Sequence, residues 1–228
     1  MTLTSETVQV QIKELLERYP GLEVVERKED GLLLRGKIHV FRTAQNFTLD
    51  QTYRVEIRVP INSDALPTVI STDGAIDVSY PHRYNNGTLC LETDTAARMR
   101  FADGFNLTQW VDEFVEPYFF SYEYHCRYGV FPFGERPHGI NGLLDTYQGI
   151  FDESDLRKVF ILARYVCDGE YRGHIDCPCG SGKKLRNCHG PSLFPIMTNP
   201  RKKAIVVRDL QTIREEIEKY AVARNNQG

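Results

Sequence analysis

The densest chemistry in the chain lies in CPCGSGKKLRNCHG, where Cys177 and Cys179 flank Pro178 and Cys188 is followed directly by His189. Three thiolates and one imidazole form a tetrahedral Cys3His set, which fills all four positions around a zinc ion and makes a structural rather than a catalytic site. Gly180-Ser181-Gly182 lets the chain turn tightly around such an ion. The stretch from Cys167 to Gly190 is glycine-rich and almost free of aliphatic residues, so it needs metal–ligand bonds to fold. Of the six cysteines, half crowd into residues 177–188 instead of spreading as a disulfide framework would, and in a reducing compartment such crowding reads as metal binding. Unrelated free thiols are the plainer alternative. A redox pair is disfavoured, because the spacing is Cys-x-Cys and not Cys-x-x-Cys.

A second candidate is NNGTLCL, residues 85–91, where an Asn86-Gly87 turn precedes Cys90 and a leucine stands on either side of the sulfur. The bland reading is a small buried hydrophobe after a hairpin turn. The reactive reading needs an accessible thiolate near hydrogen-bond donors, which a loop supplies and a strand core does not. His82 lies upstream and Asn85 is adjacent to the turn. An asparagine N–H can stabilise the oxyanion of an acyl-transfer intermediate, where loss of one donor costs about 3 kcal/mol. Asn86 makes the turn with Gly87, which leaves Asn85 as the candidate donor. Glu92 or Asp94 could take a proton from an incoming amine, and surface acidity explains them equally well. Cys126 and Cys167, beside apolar or aromatic residues on predicted helices, are expected to be buried or inert. His138, in a glycine-rich loop, could approach the site, where a second histidine would suit proton transfer; a structural histidine is the plainer reading.

Elements that would position these residues are visible in the periodicity. Val8, Ile12, Leu15, Leu16 and Tyr19 share one helix face, capped by Thr4 or Ser5 and ended by Pro20-Gly21. LEVVER, GLLLRGKIHVF, TYRVEIRV and PTVIST follow as four short segments with turn-formers between them, which predicts a strand meander and an α+β class. Residues 76–104 read as a long irregular loop. A helix is predicted from Leu107, with Pro117 kinking or restarting it. Residues 129–144 read as a second loop, Ser154 as the N-cap of DLRKVFILARYV, and Asp209 to about Val222 as a final helix.

The 228-residue length allows one large domain or a domain with an appendage. A net charge of -3 gives no global basic field, so nucleic acid is not an expected partner. No run approaches the roughly 20 apolar residues of a membrane helix. The first residues lack the basic-then-apolar pattern of a secretion signal, and the expected location is cytoplasmic.

Residues 177–190 resemble the SEC-C motif, a zinc-binding knuckle, with Cys177, Cys179, Cys188 and His189 at the ligand positions; the resemblance implies structural Zn2+ and no catalysis. The helix, four-strand meander, PHRYNNGTLCL loop and Leu107-Thr108 helix are similar in order to a ubiquitin-conjugating (UBC-like, E2) fold over roughly residues 5–150. Pro60 and Pro67 resemble the proline-bearing connection of that fold. His82, Asn86, Gly87, Thr88, Leu89, Cys90 and Leu91 stand at places equivalent to that family's active-site pattern. This chain departs from it in having Pro81 before His82 and a shorter span from His82 to Cys90. The pattern resembles bacterial E2-like proteins of antiviral defence operons. The resemblance implies a domain at 1–150, a connecting helix at 151–170, a zinc knuckle at 171–195 and a C-terminal helix and tail at 196–228. It further implies an E2-like acyltransferase that carries a ubiquitin-like modifier as a thioester on Cys90 and passes it to a target lysine. Catalytic roles fall to Cys90, His82, Asn85 and Asn86, with His82 bracing the loop. Expected partners are an E1-like activating enzyme and a ubiquitin-like modifier or the C-terminus of a nucleotidyltransferase. A catalytically silent E2-like scaffold and a cysteine hydrolase, with His82 and Asp77 or Asp94 as its base and orienter, are the alternatives.

Overall fold

The computed structural model describes residues 3–135 and 137–225. By its internal contacts the chain divides into two compact units: Met1–Asp94 with Gly104–Glu135, and Thr95–Asp103 with Arg136–Gly228. The division thus falls at Glu135 and sets residues 95–103 with the C-terminal part, where the sequence suggested a boundary at 150.

The first unit opens with α1 (Ser5–Arg18), whose N-terminus is closed by Thr4 and Thr7 exchanging side-chain and backbone hydrogen bonds. Val8, Ile12, Leu15 and Tyr19 are buried, as the 3.6-residue period requires, while Leu16 is only half-buried. Four strands follow, β1 (Leu22–Arg27), β2 (Gly31–Ala44), β3 (Phe47–Pro60) and β4 (Thr68–Ser71), paired antiparallel in the order β1-β2-β3-β4. The expected meander is therefore present, with β2 and β3 longer than their apolar cores suggest. Leu32, Leu34, Ile38 and Val40 of β2 alternate inward, as do Tyr53, Val55, Ile57 and Val59 of β3. Gln45 and Asn46 both have positive φ, which suits the two-residue connection between β2 and β3.

Behind the sheet runs a composite helix: α3 (Leu107–Trp110), a π turn (Val111–Val115) and α4 (Glu116–Tyr128). The backbone N–H of Glu116 bonds to the Val111 carbonyl, so the helix widens just before Pro117, which has no N–H to donate. Pro117 accordingly restarts the helix without breaking it. Phe119 stacks on Tyr53 of β3 at 4.0 Å between ring centroids, and the Tyr53 hydroxyl donates to Glu123 at 2.9 Å. Gln11 of α1 receives the Leu107 N–H and donates to the Phe105 carbonyl, both at 2.8 Å, which pins the start of α3.

The second unit contains α5 (Gly139–Phe151), α6 (Leu156–Asp168), α7 (Gly190–Met197) and α8 (Pro200–Asn225). Its core joins Tyr147, Phe151, Val159, Leu162, Val166, Leu193 and Val206. Buried Asp209 accepts hydrogen bonds from Thr95 at 2.6 Å and Tyr147 at 2.8 Å and pairs with Arg208. Several expectations need correction here. The loop at 76–104 contains a helix, α2 (Asp94–Arg100), and the loop at 129–144 contains the first turns of α5. The N-cap of α6 is Asp155, whose carboxylate accepts the Arg157 N–H, and not Ser154. The last helix begins at Pro200, well before Asp209. Among the described residues no helix is long and apolar enough to cross a membrane.

Candidate functional site

The two cysteine regions of interest lie in different units and are built differently. In the second unit the chain leaves α6, turns at residues 173–183 and returns through a short 3-10 turn, Leu185–Asn187, into α7. Positive φ at Gly180 and Gly182 makes the tight turn that the sequence suggested. The Gly180 N–H bonds to the Cys177 carbonyl at 3.0 Å, and the Cys177 N–H bonds to the Lys183 carbonyl at 2.8 Å. These bonds close a small knuckle whose sulfurs point to a common centre. Cys177, Cys179, Cys188 and His189 place their ligand atoms within 4.8 Å of one another. Cys177 Sγ lies 3.3 Å and Cys188 Sγ 3.4 Å from His189 Nδ1, and Cys179 Sγ lies 3.6 Å from Cys188 Sγ.

Those separations fit a metal. Zinc bonds of about 2.3 Å to sulfur and about 2.0–2.1 Å to nitrogen imply tetrahedral edges of roughly 3.5–3.8 Å. Electrostatics supports the same use. Burial pushes the Cys177 thiol up to about 11. Against its own burial, Cys179 is drawn down to about 6, first by the hydroxyl and backbone N–H of Ser181. A divalent cation at this centre would hold the sulfurs as thiolates. Cys177, Cys179 and Leu185 are also buried in the helical core of this unit, so the knuckle borrows the core it cannot build.

In the first unit, residues 83–89 form a tight hairpin. Arg83 pairs with Leu89, the Tyr84 N–H bonds to the Thr88 carbonyl at 2.9 Å, and the Gly87 N–H bonds to the Tyr84 carbonyl at 2.8 Å. Gly87 has φ +85°, a left-handed conformation that suits a three-residue hairpin loop. Asn86 accepts the Thr88 N–H through its side chain at 3.0 Å, which is the turn role expected of it. Leu89 is buried and its N–H bonds to Val69 of β4, so the hairpin is anchored on the sheet.

Cys90 follows directly and is half-buried, with its N–H on the His82 carbonyl at 2.8 Å. That carbonyl also receives the Tyr118 hydroxyl at 3.1 Å. The His82 ring packs edge-on against Phe131 and Tyr80, at 5.1 and 5.7 Å between centroids. His82 therefore braces Cys90 through its backbone, and its ring, packed among aromatic rings, brings a nitrogen within 4.8 Å of Cys90 Sγ. Asn85 is exposed at the hairpin tip. Glu92 accepts the Thr93 N–H, and Asp94 opens α2. His138 is the N-cap residue of α5 in the second unit.

Two residues that sequence reasoning passed over now matter. The Tyr84 hydroxyl donates to Cys90 Sγ at 3.3 Å, and this bond, then burial, raises the phenol to about 12. Hairpin register explains the meeting: Tyr84 faces Thr88, so Cys90 is its diagonal neighbour on the same face, within reach of a long aromatic side chain. The second is Glu153, whose carboxylate lies 3.5 Å from His189 Nε2. Of the other cysteines, expected to be buried or inert, Cys126 is exposed near the end of α4 and so not buried, and Cys167 is half-buried with its thiol pushed up chiefly by burial.

Residues 176–191 match the SEC-C motif, which covers the whole ligand set of the knuckle. No curated protein and no solved structure matches the chain. A mixed α and β chain with a Cys3His metal-binding knuckle is the class that fold and site define.

Proposed function

We propose that the protein is an E2-like acyltransferase with a zinc-bearing knuckle, in which Cys90 carries the C-terminal acyl group of a ubiquitin-like modifier. The observation that carries this reading is a half-buried thiol at the foot of an anchored hairpin, with a phenol hydroxyl 3.3 Å from its sulfur. The order of elements supports it: one helix, a four-strand antiparallel meander, the cysteine-bearing segment and then helices, as the resemblance to the ubiquitin-conjugating fold implies.

The chemistry assigned to these residues is a pair of exchanges. Cys90 Sγ attacks the carbonyl carbon of an upstream thioester, a new C–S bond forms, and the upstream sulfur leaves and takes up the proton that Cys90 loses. A lysine amine then attacks the Cys90 thioester, an amide forms, the amine loses a proton, and Cys90 leaves as a thiol. In both steps a negative charge gathers on the carbonyl oxygen beside the sulfur. Tyr84 takes the donor role first expected of Asn85, because its hydroxyl is at the sulfur and Asn85 is at the hairpin tip. His82 holds the Cys90 backbone, and Asn86 holds the turn. In the bacterial defence setting, the modifier would be supplied by an E1-like activating enzyme, and the target would be a lysine of another protein.

A binding-only scaffold is the second reading, favoured by the distance of Asn85 from Cys90. In the hydrolase alternative one of the two orienters expected for His82, Asp77, already accepts the Ser79 N–H and hydroxyl at 2.7 and 2.6 Å, which leaves that role to Asp94. Zinc as the metal follows from the thiolate-rich, four-ligand donor set, which leaves no open position.

The test is incubation with a small modifier whose C-terminus is supplied as a thioester, followed by intact-mass measurement. Wild-type protein is expected to gain the modifier's acyl mass and lose it to a thiol reductant. Cys90→Ser is expected to hold a reductant-resistant ester, and Cys90→Ala no adduct. An adduct that survives Cys90→Ala, or wild-type protein that never forms one, overturns the transferase reading.

A further inference from the structure

His189 meets the Cys177 and Cys188 sulfurs through Nδ1, which leaves Nε2 on the far side of its ring. There it faces the carboxylate of Glu153, 3.5 Å away, and the side chains of both residues are only 11% exposed. Glu153 is itself held. Its other oxygen accepts the Asp155 N–H at 3.0 Å, and Lys158 lies 3.6 Å from the oxygen that faces His189. Its own backbone N–H bonds to the Gln148 carbonyl in the turn between α5 and α6.

A buried carboxylate beside the outer nitrogen of a ligating imidazole has one evident use. With metal on Nδ1 it is placed to accept the Nε2 proton, which would fix the tautomer with a bare Nδ1, lock the ring orientation and make Nδ1 a stronger donor. We propose that Glu153 is the positioning residue of the metal centre, and that through it the turn between α5 and α6 is tied to metal binding at the knuckle. None of the four ligands comes from that turn, and Glu153 reaches the metal side from it.

This inference rests on the knuckle holding zinc, and the experiment separates the two. Zinc affinity is measured for the full-length protein by competition with a chromophoric chelator. Wild type is expected to bind one equivalent; no binding at all would remove the zinc reading itself. Given wild-type binding, Glu153→Ala is expected to weaken affinity about 10- to 100-fold, the usual cost of removing an outer carboxylate from a ligating histidine. Glu153→Gln, which keeps an acceptor but loses the charge, is expected to fall between the two. A merely structural role would lower the melting temperature of the metal-free protein in Glu153→Gln without changing zinc affinity. Affinities within about twofold of wild type for both variants overturn the proposal. Should the variants fail to fold, nitrogen NMR of the zinc-loaded wild type decides. The expected state has His189 Nδ1 bound to metal and Nε2 protonated, and metal on Nε2 overturns the proposal.

Discussion

The knuckle and the Cys90 hairpin use the same reactive atom in opposite ways. At the knuckle four ligand atoms converge within 4.8 Å, two of the three cysteines are buried, and the remaining imidazole nitrogen faces an acid. Each group there is directed at one missing centre of positive charge. At the hairpin one half-exposed sulfur has its backbone N–H satisfied by His82, receives the Tyr84 phenol, and has a His82 ring nitrogen within 4.8 Å. Convergence of four ligands marks a site built to hold something permanently, whereas one anchored sulfur with a phenol and an imidazole near it suits a bond that must form and break. Cysteine count alone would not separate the two uses. Their surroundings do.

Three perturbations would break or sharpen that contrast. The largest effect is expected at the knuckle. Cys188→Ala removes one of four ligands and should abolish zinc binding, costing the second unit more than about 4 kcal/mol, since its Cys177, Cys179 and Leu185 are packed in the helical core. Thermal unfolding with and without a chelator checks this: wild type should lose stability on chelation, and the variant should be indifferent to it. A smaller effect is expected at the hairpin. Tyr84→Phe removes only the hydroxyl that donates to Cys90, a hydrogen bond worth about 0.5–1.5 kcal/mol, so the rate of Cys90 alkylation at neutral pH should fall about two- to tenfold with no change in folding.

The smallest effect lies in the sheet beneath the hairpin. Hydrogen bonds from Arg35, against partial burial, and from Arg58 hold the Glu56 carboxyl below its ordinary value of 4.5. A carboxyl lowered by folding contributes stability that is fully present above its unfolded pKa and is lost as the pH falls through its folded value. The first unit of wild-type protein should therefore lose this contribution as the pH falls below about 4.5, and Glu56→Gln should lack that part of the acid dependence. Urea midpoints between pH 3 and pH 6 would show it.

Much of this was legible in the chain itself, for physical reasons that differ by element. The face of α1 and the inward alternation of β2 and β3 follow from period and burial, and Thr4 advertised its cap. The knuckle ligands were legible because metal spacing is local in sequence. Where local rules conflict, the reading failed. Gly139 and Gly142 disfavour a helix, yet α5 starts there because Tyr147 and Phe151 bury fully in the second core. The early start of α8 was hidden because RKKAIVVRDL mixes charge with aliphatics, while in the fold Val206 and Asp209 are both buried. Tyr84 required the hairpin register, and Glu153 required the tertiary fold, because it reaches His189 across a long sequence separation. Contacts made by topology leave no trace in spacing.

The measurement that tests this account most directly is residue-resolved alkylation of the native, zinc-loaded protein, read by mass spectrometry, with exposed Cys126 as an internal reference. Accessibility alone would make Cys126 the faster of the two, since Cys90 is half-buried. The account predicts that Cys90 reacts at least as fast as Cys126, while Cys177, Cys179 and Cys188 stay unlabelled until a chelator is added. Labelling of Cys90 that lags behind Cys126, or of any knuckle cysteine while zinc is bound, would contradict it.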